Sequence, residues 1–407
     1  MHLPELTDNF LGKQVENVVA VTGTNGKTST VNFCRQLWEA MGVKAASMGT
    51  IGVVFNGVTS ELSKTLSTPE PPLLYSKMEE LKAKGATHVA IEATSEGMDQ
   101  SRLKGLRIKA AGFTNLTRDH IDYHKTMEDY FDAKSRLFSE LLSEDGVAVI
   151  NADTSEFKRI KEVCESRKIK VLSFGRNGEE LKLINHRPVA NGQIIEIEVF
   201  GDKYSVEVPL VGEFQVYNIL CALGLVMADD IGNKEAHAPA INAIKSLYGV
   251  TGRLEFAATL KNGATIYVDY AHTPDALETV LKSLRPHAHK KLHVVFGCGG
   301  DRDKGKRAMM GEIAVRLADK AIVTDDNPRT EDASTIRSEI MTAAIGATEI
   351  GDRRAAIVQA IKNLEPDDIL VVAGKGHEQG QTIGTEVFPF NDMEEVKKAV
   401  LGVLGDK

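Results

Sequence analysis

The sequence predicts an α/β protein of two domains, residues 1–248 and 249–407. At 407 residues the chain exceeds the usual length of one domain. Short apolar strands alternate with helical patterns up to about residue 150 and again from about residue 264, which is typical of mostly parallel sheets covered by helices. The polar, glycine-containing segment Tyr248–Thr251 lies between the two regions and predicts the link between the domains.

Four apolar runs predict the parallel strands of the first domain. They are Val18–Val21, His88–Ile91, Ala110–Asn115 and Val147–Asn151. From about Val171 to Val211 the pattern changes, because the runs QIIEIEVF and YSVEVPLV alternate apolar with polar residues. This predicts an antiparallel extension of the first domain, followed by a helix that begins near Asn218.

The stretch VAVTGTNGKTST, Val19–Thr30, is the strongest local signal. An apolar strand ends in a glycine-rich turn, and a helical pattern follows. Backbone N–H groups at such a helix start bind phosphates, a lysine adds charge, and a threonine hydroxyl can bind Mg²⁺. Val21 stands where the common G-x-x-x-x-G-K-[ST] pattern has its first glycine, so this is a shorter form. We therefore expect a P-loop-type domain that binds ATP through Gly23, Thr24, Asn25, Gly26, Lys27, Thr28 and Ser29.

The second domain is predicted to be a smaller, Rossmann-like α/β domain. Its expected strands are Ala264–Asp269, Lys291–Phe296, Ala321–Thr324 and Ile369–Ala373. Each strand leads into a polar or glycine-rich loop: Asp269–Ala276, Gly297–Gly305, Asp325–Asp332 and Gly374–Gln381. Because ligands of open α/β sheets bind beyond the carboxyl ends of the strands, we expect these loops to line one crevice.

Composition and charge exclude several function classes. The net charge of −8 is spread along the chain, which argues against nucleic acid and membrane surfaces as partners. The first 20 residues have no continuous apolar core, and no run is long enough to span a membrane. The four cysteines are isolated, which fits a reducing cytoplasm and disfavours a structural zinc site. We expect a cytoplasmic protein.

Three further segments supply candidate groups for phosphoryl transfer. Glu92 ends a predicted strand, a natural place for a hard Mg²⁺ ligand. FTNLTRDHIDYH supplies Asp119 and His120, and Lys134 lies on a predicted helix. A lone lysine on a helix is usually solvated, and a lone histidine is usually structural, so spacing alone leaves a metal role open.

Seven segments in a fixed order resemble the Mur ligases. They are TGTNGKTST, FTNLTRDHIDYH with AKSRLF behind it, GRLE, DYAHTPDALE, FGCGGDRDKGKR, DDNPR and GKGHEQ. The resemblance covers about Val18–Phe390, and it is greatest to the branch of the family that adds diaminopimelate in peptidoglycan synthesis. It implies a monomeric ligase that joins meso-diaminopimelate to the D-glutamyl carboxylate of a muramyl-peptide nucleotide. ATP first converts that carboxylate to an acyl phosphate, which the amine of the amino acid then attacks.

The resemblance also implies the catalytic and metal-binding residues. Lys27 would hold the β- and γ-phosphates, and Thr28 one of two Mg²⁺ ions. Glu92 would bridge toward both ions, and His120 would bind the second. Lys134 matches a lysine that is carbamylated by CO₂ in the family and then helps to position the second ion. Carbamylation requires the neutral amine, which burial favours.

Further nucleotide contacts are implied in both domains. Asn218 matches an asparagine near the adenine, and Gln215 stands where the family has a second asparagine. Arg253, Asp269 and His272 match residues that the second domain brings over the nucleotide when the domains close.

Binding of the amino acid is implied for the loops of the second domain. The matching residues are Arg302, Asp326, Asn327, Pro328, Arg329, Gly374 and Glu378. Diaminopimelate carries a second carboxylate at its far end, and an arginine suits that group through a bidentate pair. Arg329 is the residue that lysine-adding relatives lack.

The acceptor side departs from the family in two ways. The matching residues are Ser67, Thr68, Thr94, Gln100 and Arg102. Glu96 replaces a histidine, which makes the site more acidic beside an anionic substrate. Only about 17 residues precede the first strand, too few for the N-terminal domain that grips the uridine diphosphate in the family. We therefore expect either a truncated chain or an acceptor without that group.

Two alternatives are kept, one within enzymes and one from another class. The chain could be a stand-alone ligase that joins an amino acid to a smaller acid, or a non-catalytic nucleotide-binding remnant. An NAD-dependent oxidoreductase is disfavoured, because Lys27 and Thr28 open the helix where a dinucleotide fold needs glycine.

Overall fold

The computed structural model describes residues 14–62, 66–189 and 192–405. Most of the first 20 residues, which have no continuous apolar core, lie outside these ranges. The chain divides into two compact units. The first contains the residues up to Thr117 and Tyr123–Tyr248, and the second contains Arg118–Asp122 and the residues from Gly249 onward.

An eleven-stranded sheet forms the centre of the first unit. Its strands in chain order are β1 Asn17–Thr22, β2 Ala45–Gly49, β3 Gly52–Phe55, β4 Val58–Ser60, β5 His88–Glu92, β6 Ile108–Phe113, β7 Leu142–Asn151, β8 Lys170–Gly175, β9 Leu181–Val189, β10 Gly192–Val199 and β11 Asp202–Val208. The order across the sheet is β11-β10-β9-β8-β7-β6-β1-β5-β2-β3-β4. The strands from β9 to β2 in this order pair in parallel, while β9-β10-β11 and β2-β3-β4 pair antiparallel.

The predicted mostly parallel sheet with an antiparallel extension is confirmed, with two corrections. The stretch Lys170–Gly175 pairs in parallel with β7, so the antiparallel part begins later than Val171. A second antiparallel edge, formed by β3 and β4, was not predicted. All six residues of β1 are buried, because helices cover both faces of the central strands, and this explains the continuous apolar run in the sequence.

The helices of the first unit are α1 Lys27–Ala40, α2 Pro71–Ala83, α3 Ser95–Asp99, α5 Met127–Arg136, α6 Phe157–Ser166, α7 Glu213–Val226 and α8 Lys234–Ala243. The short α4 Ile121–His124 has its first two residues in the second unit and its last two in the first. A π-helical turn, Leu137–Leu141, continues α5. The helix expected to begin near Asn218 begins at Glu213 instead, directly after Gly212. The structure therefore places Asn218 inside the helix.

The second unit has a six-stranded sheet in the order β12-β13-β17-β14-β15-β16. These strands are β12 Glu255–Thr259, β13 Thr265–Asp269, β14 Leu292–Phe296, β15 Lys320–Val323, β16 Thr348–Glu349 and β17 Ile369–Ala373. All neighbours pair in parallel except β12 with β13, so the Rossmann-like prediction is confirmed. A separate hairpin is formed by β18 Gly380–Ile383 and β19 Glu386–Pro389.

The helices of the second unit are α9 Pro274–Leu284, α10 Lys306–Leu317, α11 Ala333–Met341, α12 Arg353–Lys362 and α13 Asp392–Gly405. Apolar residues of β13, β14 and β17 pack with residues of α12 and α13 in one buried core. Within the described residues, no helix has both the length and the apolar character needed to cross a bilayer.

Candidate active site

The glycine-rich loop connects β1 to α1 through two backbone positions that require glycine. Gly23 and Gly26 have φ angles of 147° and 88°. A Cβ atom at Gly23 would lie 1.9 Å from Thr114 Oγ1, and one at Gly26 would lie 2.3 Å from Asn218 Oδ1. The loop is therefore packed tightly on the segment after β6 and on α7, with its backbone amides at the start of α1.

Hydrogen bonds fix the loop to the segment that follows β6. Asn25 N donates to Asn115 Oδ1 at 2.9 Å, and Thr114 Oγ1 donates to the carbonyl oxygen of Asn25 at 2.6 Å. Thr117 N donates to Thr24 Oγ1 at 3.0 Å. Thr114, Asn115 and Thr117 were not among the predicted site residues. The signal that could have found them is their position directly after a strand that neighbours β1.

Two lysines converge on one carbonyl oxygen of the loop. Lys27 Nζ donates to the carbonyl oxygens of Gly23 and Thr24, each at 2.8 Å. Lys134 Nζ, from α5, donates to the same Gly23 oxygen at 2.8 Å and lies 4.3 Å from the centre of the Tyr130 ring. Lys134 is only 1% exposed, unlike a typical lysine on a helix. Two ammonium groups on one oxygen repel each other, and burial strengthens that repulsion.

The other predicted nucleotide residues of the first unit lie beside the loop. Thr28 and Ser29 are buried in the first turn of α1. Asn218 Nδ2 donates to Gln215 Oε1 at 3.0 Å, so the two residues that match the family's paired positions are joined on α7. The structure thus gathers all the first-unit ATP residues around one loop.

Glu92 is the last residue of β5, and its carboxylate is held by a residue that sequence analysis missed. Its Oε1 accepts from Thr50 N at 2.8 Å, and its Oε2 accepts from Thr50 Oγ1 at 3.0 Å. A Cβ at Gly49 would lie 2.2 Å from Oε1, so glycine is needed for this approach. The carboxylate is buried but keeps lone pairs on both oxygens, since each oxygen accepts only one of these bonds.

The predicted acceptor-binding residues form a network centred on Thr68. Thr68 Oγ1 donates to the carbonyl oxygen of Glu92 at 2.8 Å, and it accepts from Thr94 N and Thr94 Oγ1, both at 3.0 Å. Arg102 Nη1 donates to the carbonyl oxygen of Thr68 at 2.9 Å, and Nη2 donates to Gln100 Oε1 at 2.6 Å. Residues separated by up to 34 positions therefore meet at the end of β5.

Ser67 and Glu96 lie at the edges of this network. Ser67 Oγ lies 2.7 Å from Thr50 Oγ1, which links it to the carboxylate of Glu92. Glu96 lies in the first turn of α3 and is half-buried. Thr94 caps the same helix by accepting from Gly97 N at 3.2 Å. The carboxylate that replaces the family histidine is therefore carried by the helix that begins beside Thr94.

His120 lies in the short segment that groups with the second unit, where Asp119 holds it. His120 has a φ of 53° and its side chain is 43% exposed. Asp119 Oδ1 accepts from His120 N at 2.9 Å, and Asp119 Oδ2 lies 3.5 Å from His120 Nε2 and 3.9 Å from His272 Nε2. Burial raises the pKa of Asp119, but the positive charge of His120, His272 and Lys306 outweighs it, so the pKa lies below its ordinary value.

These contacts do not test the predicted set of metal-binding residues. Across residues 14–62, 66–189 and 192–405, no three His, Cys, Asp or Glu side chains are grouped in a way that could hold a metal ion. The set Thr28, Glu92, His120 and Lys134 contains only two side chains of those types, so it stays a prediction. Asp119, which contacts His120, is a charged residue that the predicted set omitted.

Asp269 anchors the start of the second unit. Its carboxylate accepts from Leu254 N at 2.5 Å and from Ala271 N at 2.7 Å. Burial raises the pKa of Asp269 to about 6, and the charge of Arg253 and the two amide bonds oppose the rise only in part. Arg253 lies over the Tyr270 ring, with 4.3 Å from Cζ to the ring centre. The predicted residues Arg253 and Asp269 thus lie together at the carboxyl end of β13.

His272 and His377 both pack against Tyr270. Their ring centres lie 4.5 Å and 5.1 Å from that of Tyr270. Burial lowers the pKa of His272, and the attraction of Asp119 does not restore it. Burial, Arg253 and His272 together lower the pKa of His377 to about 3. Burial thus disfavours the charged form of both imidazoles.

The loops after β14, β15 and β17 meet at the carboxyl edge of the second sheet, as predicted. Asn327 Nδ2 donates to Glu378 Oε2 at 2.9 Å, and Arg329 Nη1 donates to the carbonyl oxygen of Gly300 at 2.8 Å. Lys375 Nζ, which was not predicted as a site residue, donates to Asn327 Oδ1 at 2.8 Å and to Glu378 Oε2 at 2.9 Å.

The remaining predicted amino-acid residues differ in how closely they join this group. Gly374 has a φ of 120°, and a Cβ there would lie 2.6 Å from Asp326 Oδ2. Pro328 is buried, and its carbonyl oxygen accepts from Glu331 N at 3.1 Å. Arg302 is about half exposed, donates to its neighbour's carbonyl oxygen at 3.2 Å, and has none of its recorded bonds with the other predicted residues.

Burial of Asp326 is balanced by cations. Burial raises the pKa of its carboxyl group, but Lys375, Arg353 and His272 outweigh that effect and hold the pKa below its ordinary value. Arg353 itself forms a fully buried pair with Asp392 at 2.6 Å. The carboxyl edge of this sheet therefore concentrates charged groups of both signs in a small, mostly buried space.

Two family descriptions match most of the chain. The family description "Mur ligase middle domain" matches residues 21–226, and "Mur ligase, glutamate ligase domain" matches residues 252–376. The first match spans the glycine-rich loop, Glu92, Lys134 and Asn218. The second spans Asp269 and the DNPR loop.

Similar proteins cover nearly the whole chain. The UDP-N-acetylmuramoyl-L-alanyl-D-glutamate–2,6-diaminopimelate ligase of Agrobacterium fabrum is 49% identical over 407 residues, which are 100% of this chain and 82% of that relative. The ligase of the same name from Rhizobium meliloti is 50% identical over 401 residues, 98% of this chain and 81% of that relative.

Solved structures agree with the sequence comparisons. A structure of a ligase of the same name is 34% identical, with a TM-score of 0.67 over 96% of this chain and 79% of that one. Folylpolyglutamate synthase of Mycobacterium tuberculosis, solved with ADP, is 18% identical with a TM-score of 0.72 over 91% of this chain and 90% of that one, which shows a shared fold. The resemblance inferred from the seven segments is confirmed: this chain belongs to the Mur ligase family.

Proposed function

We propose that this protein is an ATP-dependent, ADP-forming ligase that adds meso-diaminopimelate to the D-glutamyl carboxylate of UDP-N-acetylmuramoyl-L-alanyl-D-glutamate. This reaction is a step of peptidoglycan synthesis. The observation that carries the proposal is the cluster of Asn327, Arg329 and Glu378 at the carboxyl edge of the second sheet, because it offers groups of both signs to an amino acid with two charged ends. The relatives near 49% identity that bear this activity in their names support it.

The first chemical step would make the carboxylate reactive. A carboxylate oxygen of the D-glutamyl group attacks the γ-phosphorus of ATP, the bond to the β,γ-bridging oxygen breaks, and ADP leaves. The backbone amides from Gly23 to Thr28 and the charge of Lys27 suit the transferred phosphoryl group. Because phosphoryl transfer depends mainly on positioning and on neutralising charge, a rigid loop held by Thr114 and Asn115 is well suited to it.

The second step would form the amide bond. The amine of diaminopimelate attacks the carbonyl carbon of the acyl phosphate, and the resulting tetrahedral intermediate expels inorganic phosphate. The amine loses a proton in the process. Residues 1–248 would thus bind ATP and the acceptor, and residues 249–407 the incoming amino acid.

Mg²⁺ fits part of the donor set. Thr28 and Glu92 offer the hydroxyl and carboxylate oxygens that this ion prefers, and His120 would add a nitrogen ligand. When bound, the ions would neutralise the charge of the phosphates. We propose that Thr28, Glu92, His120 and Lys134 hold two of them.

Lys134 is proposed to be carbamylated. The neutral amine would add to the carbon of CO₂, forming an N–C bond and releasing one proton to solvent, so that the side chain ends in a carboxylate. Burial and the neighbouring Lys27 both disfavour a second ammonium group at this place. The carbamate nitrogen keeps one hydrogen and can still donate to the carbonyl oxygen of Gly23.

The acceptor would lie at the end of β5. We propose contacts to it from Ser67, Thr68, Thr94, Gln100 and Arg102, whose network holds the backbone of Glu92 in place. Asn218, Arg253, Asp269 and His272 are proposed as further ATP-binding residues. The proposed partners are small molecules only, and the proposed state is a cytoplasmic monomer.

Phosphate release tests the proposal directly. The purified protein would be given ATP, Mg²⁺ and UDP-N-acetylmuramoyl-L-alanyl-D-glutamate, with meso-diaminopimelate, with lysine, or with no amino acid. We expect release that depends on diaminopimelate and a product whose mass shows the added residue. No phosphate release with this acceptor, together with activity on a smaller acid, would indicate a stand-alone ligase instead. ATP binding without turnover on any acid would indicate a non-catalytic protein.

A further inference from the structure

Lys375 is a fully buried cation in the proposed amino-acid site, and the reaction proposed above assigns no role to it. Its side chain is fully buried, although lysine is almost never found so unless it is paired. It lies one residue after Gly374, in the loop that follows β17. Such a residue must either stabilise the loop alone or set the geometry of its partners.

The amide of Asn327 has one orientation because of Lys375. Asn327 Oδ1 accepts from Lys375 Nζ at 2.8 Å and from Thr382 N at 2.9 Å, so both donors lie on the oxygen side. The amide nitrogen is then directed to Glu378 Oε2 at 2.9 Å. Without the lysine, the oxygen end of this amide would keep one donor, the backbone amide of Thr382.

The carboxylate of Glu378 is oriented in the same way. Its Oε2 accepts from both Lys375 Nζ and Asn327 Nδ2, each at 2.9 Å. Within the described part of the chain, its Oε1 has no hydrogen-bond partner, and the side chain is 29% exposed. Oε2 therefore holds the carboxylate in place, and Oε1 is left to bind a ligand.

Charge supports the same conclusion. Asp326 and Glu378 are two carboxylates in one small space, and Lys375 is the cation that contacts Glu378 and offsets the charge of Asp326. Arg353 also lies near Asp326, but its own partner is Asp392. Removing Lys375 would leave the two carboxylates to repel each other, which favours a proton or a displacement of Glu378.

We propose that Lys375 is a positioning residue for the amino-acid substrate, and that it holds Glu378 so that Oε1 receives an ammonium group of that substrate. The inference rests on the proposed function, since it assumes that the cluster binds an amino acid. It adds a residue that acts through Glu378 and Asn327 rather than by touching the substrate.

The test separates the KM for the amino acid from kcat and from the KM for ATP. Lys375→Met is expected to raise the KM for meso-diaminopimelate about 10- to 100-fold, as for loss of a hydrogen bond between charged groups, with the KM for ATP changed less than about twofold. Lys375→Arg, which keeps the charge, is expected to recover part of the lost affinity. Lys375→Gln keeps a donor without the charge and serves if the methionine variant does not fold.

Lys291→Met is the matched control. Lys291 pairs with Glu365 at 2.8 Å but precedes β14, at the amino end of the strands. The same change of charge at this distant lysine–glutamate pair should leave all three constants unaltered. A double variant, Lys375→Met with Glu378→Gln, should raise the KM no further than the more harmful single change, because the lysine acts through the glutamate.

The possible results are distinguishable. If the wild-type protein shows no diaminopimelate-dependent phosphate release, the proposed function fails, and this inference fails with it. If the wild-type protein is active but a folded Lys375→Met or Lys375→Gln variant keeps the wild-type KM, only the inference is overturned. Independent, multiplying effects in the double variant would also overturn it.

Discussion

Replacing Lys134 by alanine tests the proposal that this side chain is carbamylated. The side chain is buried on α5 and donates to the Gly23 carbonyl oxygen, which Lys27 also approaches. If it carries a carbamate, its function is that of a carboxylate. A small carboxylate in solution should then replace it in a variant that leaves room.

The structural cost of this change can be worked out separately from the chemical one. Lys134→Ala removes three buried methylene groups at about 0.8 kcal/mol each, or about 2 kcal/mol in all. It also removes the hydrogen bond to Gly23, which at about 1.5–3 kcal/mol for a charged donor brings the total to roughly 4 kcal/mol. Relief of the repulsion from Lys27 offsets part of this. We expect the variant to fold with a melting temperature lower by about 10 °C or less.

The assay is phosphate release at a temperature well below that melting point, with and without added acetate or propionate. Loss of a preorganised charged group should lower kcat about 100-fold or more. Added carboxylate should restore a measurable part, because the alanine leaves the volume of the lost side chain empty. Lys134→Met is the matched control, since it also removes the nitrogen but fills that volume, and it should be inactive and not rescued.

Two results would refute the reasoning. Wild-type activity in the alanine variant would show that the side chain is not needed for turnover. Equal rescue of the alanine and methionine variants would show that the carboxylate acts elsewhere, and it would remove the support for carbamylation.

Three further predictions follow from the same geometry. Arg329→Ala should raise the KM for diaminopimelate about 10- to 100-fold and leave the KM for ATP unchanged, because a bidentate partner of a carboxylate is lost; an unchanged KM would remove the reason for naming this amino acid. Gly23→Ala should abolish ATP binding in calorimetry, since its Cβ would lie 1.9 Å from Thr114 Oγ1. Asp269, whose pKa is raised from 3.8 to about 6 in the fold, binds more protons folded than unfolded, so its contribution to stability falls as the pH rises from about 4 to 6. Compared with Asp269→Asn in urea unfolding, the wild type should lose about 2 kcal/mol over this range, out of about 3 kcal/mol for the complete titration.

The sequence could predict whatever depends on short spacing. The glycine-rich loop, Glu92 at the end of β5 and the four loops at the carboxyl ends of the second sheet are local patterns, and each lies where it was expected. Strand order follows less directly from local pattern. The antiparallel edge formed by β3 and β4 was missed because those strands are short, with four and three residues.

What could not be predicted are contacts that depend on which strands are neighbours. Thr114 and Asn115 reach Asn25 only because β6 lies next to β1, across about 90 residues of chain. Thr50 reaches Glu92 only because β2 lies next to β5. Such residues have ordinary types and no period, so their role becomes visible only in the folded sheet.

Each of the two units contains a buried lysine among the residues discussed above. Lysine side chains are usually solvated. Lys134 and Lys375, however, are both buried beside a loop at the carboxyl edge of a sheet. A buried ammonium group is costly unless its partners are well placed, so stability alone would favour an apolar side chain of similar size at either position. Their burial is what we expect if, as proposed above, Lys134 carries a carbamate and Lys375 positions Glu378. The two predictions differ in kind, since Lys134 should be replaceable by a free carboxylate and Lys375 only by another cation.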